Sequence, residues 1–137
     1  AAEALSRRAL PAGVSVHRCE RPVPDLLDAL EGADAAIVVD AARTGAAAGS
    51  VQRLARGELA RALRPSSHAL GVADALALAE ALGRAPARIE VLGVELGDAG
   101  GSALTPAVSA AAREAAETAL AIATELLGPE LERPDDA

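Results

Sequence analysis

Two acidic residues stand where the sequence predicts the ends of strands, and they are the first candidates for chemistry. Asp40 closes the strand predicted over Ala35 to Asp40, and Glu95 follows the strand predicted over Ile89 to Val94. Short apolar runs rich in β-branched residues are typical of buried parallel strands, whose carboxyl ends lie at the edge where open α/β sheets hold their sites. The sequence therefore predicts both carboxylates at one sheet edge, although an aspartate after a strand is also a common turn or helix-cap residue.

His68 is the third candidate, because it follows Ser66 and Ser67, either of which can cap a helix that is predicted to run to Leu82 and to end at Gly83. In the first turn of a helix the positive end of the helix dipole disfavours the imidazolium form. The neutral ring that results can bind a metal ion or accept a proton. A histidine there can equally be a capping or packing residue, so the position alone leaves both interpretations open.

These candidates are positioned by an alternation of predicted elements: helix, strand, helix, strand, edge strand, helix, strand, helix. This order predicts an α/β fold, a three-layer sandwich with a largely parallel sheet and helices on both faces. The opening helix is predicted over Ala1 to Leu10 and the first strand over Val14 to Cys19, and the strand that ends at Asp40 is predicted at the centre of the sheet. Ser50 to Leu54 is predicted as an antiparallel edge strand, since the connection leading into it is brief and holds no helix.

The last predicted helix begins with Thr105 as its cap and Pro106 in its first position, and it runs to about Leu127. Its inward face is predicted at helical spacing as Val108, Ala112, Ala115, Ala119, Ile122 and Leu126. With 137 residues the chain is predicted to form one α/β domain over residues 1–128, followed by a flexible acidic tail over residues 129–137.

The composition narrows the classes of function. Twenty acidic residues against 13 basic ones give a net charge of −7, and the basic residues are all scattered arginines, which disfavours nucleic acid as a partner. The lack of an apolar run of about 20 residues and of a signal-type leader predicts a cytoplasmic protein without a membrane span. Cys19 is the single cysteine, so it cannot form an internal disulfide and is predicted to be a small buried hydrophobe.

Three spaced stretches carry a resemblance to a known family. They are Ile37 to Gly45 with the sequel Gly49 to Val51, Ser66 to Gly71, and Leu104 to Val108. In their order and spacing they resemble the hydrogenase maturation protease family. Together they extend over most of the chain from Val14 onward.

The resemblance implies an α/β endopeptidase that removes the C-terminal extension of the nickel-iron hydrogenase large-subunit precursor after nickel insertion. It implies that Asp40 and His68 contact the metal, and that the nickel arrives with the substrate and is not a permanent cofactor. The family's third metal-contacting residue, an acid in an early loop, and its first strand would lie upstream of Ala1, so the chain is identified as an N-terminally truncated member. The resemblance assigns no catalytic nucleophile or base to this chain.

The chemistry of the two carried-over residues agrees with this implication. A carboxylate and a neutral imidazole are suitable ligands for a first-row divalent ion, nickel included. Two ligands are few for a tight site, so they predict weak binding or a site that the substrate completes.

Two other functions stay open on the sequence. One is a noncatalytic α/β module, or an inactive fragment of the family, that binds the partner without cutting it. The other is a small-molecule enzyme that uses the edge with Asp40 and Glu95, which requires the two carboxylates to act on one substrate.

Overall fold

The computed structural model describes Leu5 and residues 9–63, 71–97 and 105–128 of the chain. Its strands are β1 (Ala35–Ala42), β2 (Val51–Leu54) and β3 (Arg88–Glu95). Its helices are α1 (Leu27–Leu30), α2 (Leu59–Ala62), α3 (Val72–Ala81) and α4 (Pro106–Leu127). An irregular helical turn, Pro22–Leu26, leads into α1, and a 3-10 turn, Arg56–Glu58, leads into α2. The predicted α/β class is confirmed. The predicted tail lies outside the described residues, and so does the helix predicted over Ala1 to Leu10, except for Leu5, Ala9 and Leu10. Ala9 and Leu10 are not helical, so the predicted helix does not extend to Leu10.

The three strands form one sheet in the order β1, β3, β2. β1 runs parallel to β3, with Ala35 opposite Arg88 and Ala42 opposite Glu95. β2 runs antiparallel to β3, which confirms the predicted antiparallel edge strand. The prediction that β1 is the central strand is wrong for the described sheet, because β3 has a neighbour on each side. β3 also ends in five consecutive buried residues, the pattern that a central strand requires.

The strand predicted over Val14 to Cys19 is wrong as well, since the structure assigns no strand to these residues. Their alternation of apolar and polar side chains is the correct local signal for a strand. A strand, however, also needs a neighbouring strand for its backbone hydrogen bonds, and a local pattern carries no information about such a neighbour. Cys19 is partly buried against the apolar core, in agreement with its predicted packing role.

Successive residues of β1 and β3 pack in different apolar clusters, as expected when side chains alternate between the faces of a sheet. One face contributes Ala36, Val38, Ala42, Ile89 and Val91 to a cluster shared with α1, α2 and α3. The other face contributes Ile37, Val39, Leu92 and Val94 to clusters shared with α4. The core of the described structure therefore lies on both sides of the β1 and β3 pair.

α4 begins as the sequence predicts. The Thr105 side chain accepts a hydrogen bond from the Val108 backbone N–H at 3.2 Å, and Pro106 occupies the first helical position. The buried face consists of Val108, Ala111, Ala115, Ala116, Ala119 and Ile122. These side chains are small, so the helix axis can approach the sheet closely. Within the described part of the chain, no helix combines the length and apolar character needed to cross a membrane.

The contact between β3 and α4 yields a prediction about stability. Leu92 is 0 % exposed and packs with Ala119 and Ile122, so Leu92→Ala is expected to lower the free energy of unfolding by about 2–5 kcal/mol. Leu82, 54 % exposed, supplies the control, and Leu82→Ala is expected to change the free energy of unfolding by about 0.5 kcal/mol or less. Urea denaturation followed by far-ultraviolet circular dichroism measures both, because the chain has no aromatic residue to report unfolding. Equal losses in the two variants would contradict this packing.

Candidate functional site

Asp40 lies near the carboxyl end of β1, where it is partly buried and pairs in register with Gly93. The alternation of β1 places it on the face that carries Val38 and Ala42, toward the cluster shared with α1, α2 and α3. Burial raises the pKa of the Asp40 carboxyl, and a hydrogen bond from the Ala41 backbone opposes this rise. The charged carboxylate is therefore poorly solvated in the folded chain.

The strand position opposite Asp40 requires a glycine. A Cβ atom on Gly93 would lie 2.8 Å from the Ala42 Cβ and 2.9 Å from the Leu54 Cδ1. Ala42 and Leu54 are both buried, and their apolar atoms occupy the space that a side chain at position 93 would take. This apolar packing beside the Asp40 strand position is consistent with the loss of solvent around the carboxylate.

Glu95 ends β3 as Asp40 nearly ends β1, so the two acids do lie at the carboxyl ends of adjacent parallel strands. Glu95 is only 2 % exposed. Its carboxylate accepts hydrogen bonds from the Thr44 hydroxyl at 2.8 Å and from the Thr44 backbone N–H at 2.9 and 3.2 Å. The Gln52 amide in turn donates to the Thr44 hydroxyl at 3.1 Å. Because Thr44 already occupies this carboxylate, the geometry disfavours a small-molecule enzyme that works with Asp40 and Glu95 as an acid pair.

The loop between β1 and β2 is fastened to the surrounding elements. The Arg43 backbone N–H donates to the Ala62 carbonyl at 3.0 Å, and the Arg43 guanidinium donates to the Gly97 carbonyl at 3.3 Å. Gly49, at φ +88°, donates its N–H to the Glu95 carbonyl, and a Cβ there would lie 3.0 Å from the Ala107 carbonyl oxygen. This loop, which is rich in small residues, is thus an anchored segment at the same sheet edge as Asp40.

His68 lies outside the described residues, so its geometry relative to Asp40 stays a prediction. α3 begins at Val72, because Gly71 has an extended backbone (φ −84°, ψ −175°) and its N–H donates a hydrogen bond to the Asp74 carboxylate at 3.1 Å. The described helix therefore does not start at Ser66 or Ser67. The helix-dipole argument for a neutral His68 consequently does not apply to the first turn of α3.

Two other chemically capable side chains of the described structure are those of His17 and Cys19. His17 is exposed and lies 3.1 Å from the Ser15 hydroxyl, in agreement with a hydrogen-bonded structural histidine. Burial raises the pKa of the Cys19 thiol, and the nearby Asp25 carboxylate adds to this rise. Over residues 9–63, 71–97 and 105–128, no group of three or more histidine, cysteine or acidic residues is arranged to hold a metal ion.

Sequence reasoning identified Asp40 and Glu95 but missed the residues that act on them. Thr44 and Gly93 were not candidates, because each matters only through a partner that is distant in sequence, and Gln52 enters only through its contact with Thr44. The sequence signal that could have identified this contact is a threonine, Thr44, in the loop after one parallel strand together with an acid, Glu95, at the end of the adjacent parallel strand. Thr44 and Glu95 are 51 positions apart.

Burial of Asp40 predicts a pH-dependent stability difference. Since the folded-state pKa is raised, the charged carboxylate weakens the folded state, and stability is lost as the pH rises through that pKa. Asp40→Asn is therefore expected to be more stable than the wild type at neutral pH, and the gain is expected to vanish as the pH falls toward the ordinary value of 3.8. Urea midpoints across this range measure the gain. Asp34→Asn, at an exposed position before β1, controls for the change in net charge, and an equal gain in both variants would contradict the assignment.

Comparison with known proteins adds one finding to this geometry. A model of the hydrogenase maturation protease family matches residues 4–122, which include most of the described structure and all three stretches that carry the resemblance. The family predicted from those stretches is thereby confirmed. The comparisons with curated proteins and with solved structures gave no match.

Proposed function

Because the chain belongs to the hydrogenase maturation protease family, a family of peptidases that act on hydrogenase precursors, we propose that it removes the C-terminal extension of the nickel-iron hydrogenase large subunit after nickel insertion. The observation that supports a site for this function is Asp40. It is partly buried near the carboxyl end of β1 and lies inside the first of the three matching stretches. In this proposal the nickel belongs to the substrate.

Asp40 suits contact with a metal ion for a physical reason. A carboxylate beside apolar packing is short of solvation, and a divalent cation brought by the substrate replaces the lost solvent. Oxygen and imidazole ligands together are compatible with nickel. His68 is proposed as the imidazole ligand, and an acidic residue in a segment upstream of Ala1 as the third contact.

The same proposal extends the sheet. In the described structure β1 has β3 on one side and no strand on the other, although seven of its eight residues are apolar. An unpaired apolar edge strand is an aggregation hazard in a folded protein. We propose that the whole protein covers this edge with a further strand, as part of the three-layer sandwich with helices on both faces that the order of the predicted elements favours.

Processing of the precursor tests the site assignment. The full chain, with any native upstream segment, is incubated with nickel-loaded large-subunit precursor, and removal of the extension is followed by mass spectrometry. Asp40→Ala and His68→Ala are each expected to slow removal by more than about tenfold, since loss of a group that orients a metal has effects of this size. The matched controls are Asp34→Ala and His17→Ala, both at exposed positions outside the proposed site.

Two outcomes would contradict the proposal in different ways. Normal processing by both site variants would show that Asp40 and His68 are assigned wrongly while the activity stands. A wild-type chain that binds the precursor without cutting it would instead support the noncatalytic partner-binding module.

A further inference from the structure

Glu95 is the one buried charged residue within the described residues, and the proposed metal contacts leave it without a role. Removing a carboxylate from water costs several kcal/mol, and an apolar residue of similar volume often stabilises a fold equally well. The preceding residues Leu92 and Val94 are apolar and buried, but they face the opposite side of the sheet. Stability of the sheet therefore does not by itself call for a charge here.

Within the part of the chain that the structure describes, all the hydrogen bonds of this carboxylate run to Thr44, which lies in an exposed segment. Arg43, Thr44 and Gly45 are all exposed, so the segment has little apolar packing to hold it in one conformation. Glu95 supplies what packing does not, because it binds both the backbone N–H and the hydroxyl of Thr44. A loop that only connects two strands does not need such a restraint, whereas a binding surface gains affinity from it.

The restraint extends beyond one pair of residues. The Gln52 amide donates to the Thr44 hydroxyl, which donates to Glu95, so the three groups form one directed chain of hydrogen bonds. The Ala46 N–H also points at the Thr44 hydroxyl, at 3.4 Å. Bonds in such a chain polarise and strengthen one another. Together with the hydrogen bond from the Arg43 backbone N–H to the Ala62 carbonyl, this chain restrains the loop conformation.

The side chain that this loop presents is Arg43. Its guanidinium is exposed and, counting only partners among the described residues, it makes one side-chain hydrogen bond, to the Gly97 carbonyl, out of five N–H donors. Among the described residues no carboxylate lies within ion-pair distance of it, in contrast to Arg53 with Glu90 and Arg84 with Glu31. Arg43 follows Asp40 by three residues at the same sheet edge. A held and accessible guanidinium suits the carbonyl and carboxylate oxygens of a peptide.

We propose that Glu95 is a positioning residue for precursor binding: through Thr44 it holds Arg43 in the conformation that receives the peptide beside Asp40. The inference rests on the proposed processing function and deepens it by naming the residues that recognise the peptide. Glu95 itself does not touch the substrate. Its effect on the reaction passes through the loop of residues 43–46.

Steady-state processing of nickel-loaded precursor by the full chain tests this proposal. Glu95→Gln and Thr44→Val are each expected to raise KM about tenfold with little change in kcat, the size expected for loss of one hydrogen bond to a charged group. Combining Glu95→Gln with Arg43→Ala is expected to raise KM no further than Arg43→Ala alone, because both act through the same contact. Hydrogen exchange at the Thr44 and Ala46 amides is expected to become faster in Glu95→Gln.

Two further variants separate positioning from general destabilisation. Glu90→Gln, on the same strand, removes a partly exposed carboxylate and is expected to keep the wild-type KM. Thr44→Ser keeps the hydroxyl and is expected to have the wild-type KM, whereas Thr44→Val is expected to have a raised KM. Because Thr44 is exposed, this pair of variants stays informative even if Glu95→Gln does not fold.

The outcomes distinguish this inference from the function on which it rests. A wild-type KM in Glu95→Gln and Thr44→Val, with or without a loss of stability, would overturn the positioning role while the processing function stands. Additive effects of Glu95→Gln and Arg43→Ala would overturn the route through Arg43. A wild-type chain that does not process the precursor would overturn the proposed function, and the inference with it.

Discussion

The pairing of β3 with β1 on one side and with β2 on the other is the constraint on which the rest of the described structure depends. It makes β3 the strand whose residues must suit two neighbours and two faces at once. It also brings the ends of β1 and β2 to the same place, so that the loop joining them closes over Glu95. The sheet edge with Asp40 and the loop with Arg43 are products of this single arrangement.

Elements whose signals are local were predictable from the sequence. Thr105 and Pro106 are adjacent residues that predict the start of α4. The apolar runs of β1 and β3 predict strands from their local sequence alone. The errors concern relations between distant residues. The central position of β3 and the lack of a strand over Val14 to Cys19 both depend on which segments find hydrogen-bonding neighbours. The start of α3 was misjudged because Gly71 and Asp74 form a competing start signal.

The residues of the candidate site likewise fall into those that local sequence reveals and those that depend on distant partners. Asp40 was accessible to sequence reasoning because a carboxylate that interrupts an apolar run stands out in a single stretch of the chain. Thr44 and Gly93 gain their importance only from residues about 50 positions away, and nothing near them in the sequence marks it. The pattern is physically reasonable, since an exposed loop is held through long-range contacts when it lacks packing of its own.

The alanine face of α4 has a consequence for how such a protein can change over time. Ala111, Ala115 and Ala119 meet the sheet with side chains that have almost nothing left to remove, and any residue other than glycine adds atoms to a closed contact. Substitution is thus far less restricted on the outer face of the helix than at these three alanines. The distance between helix and sheet therefore resists gradual change during evolution, because enlarging any one of these alanines adds atoms to a closed contact.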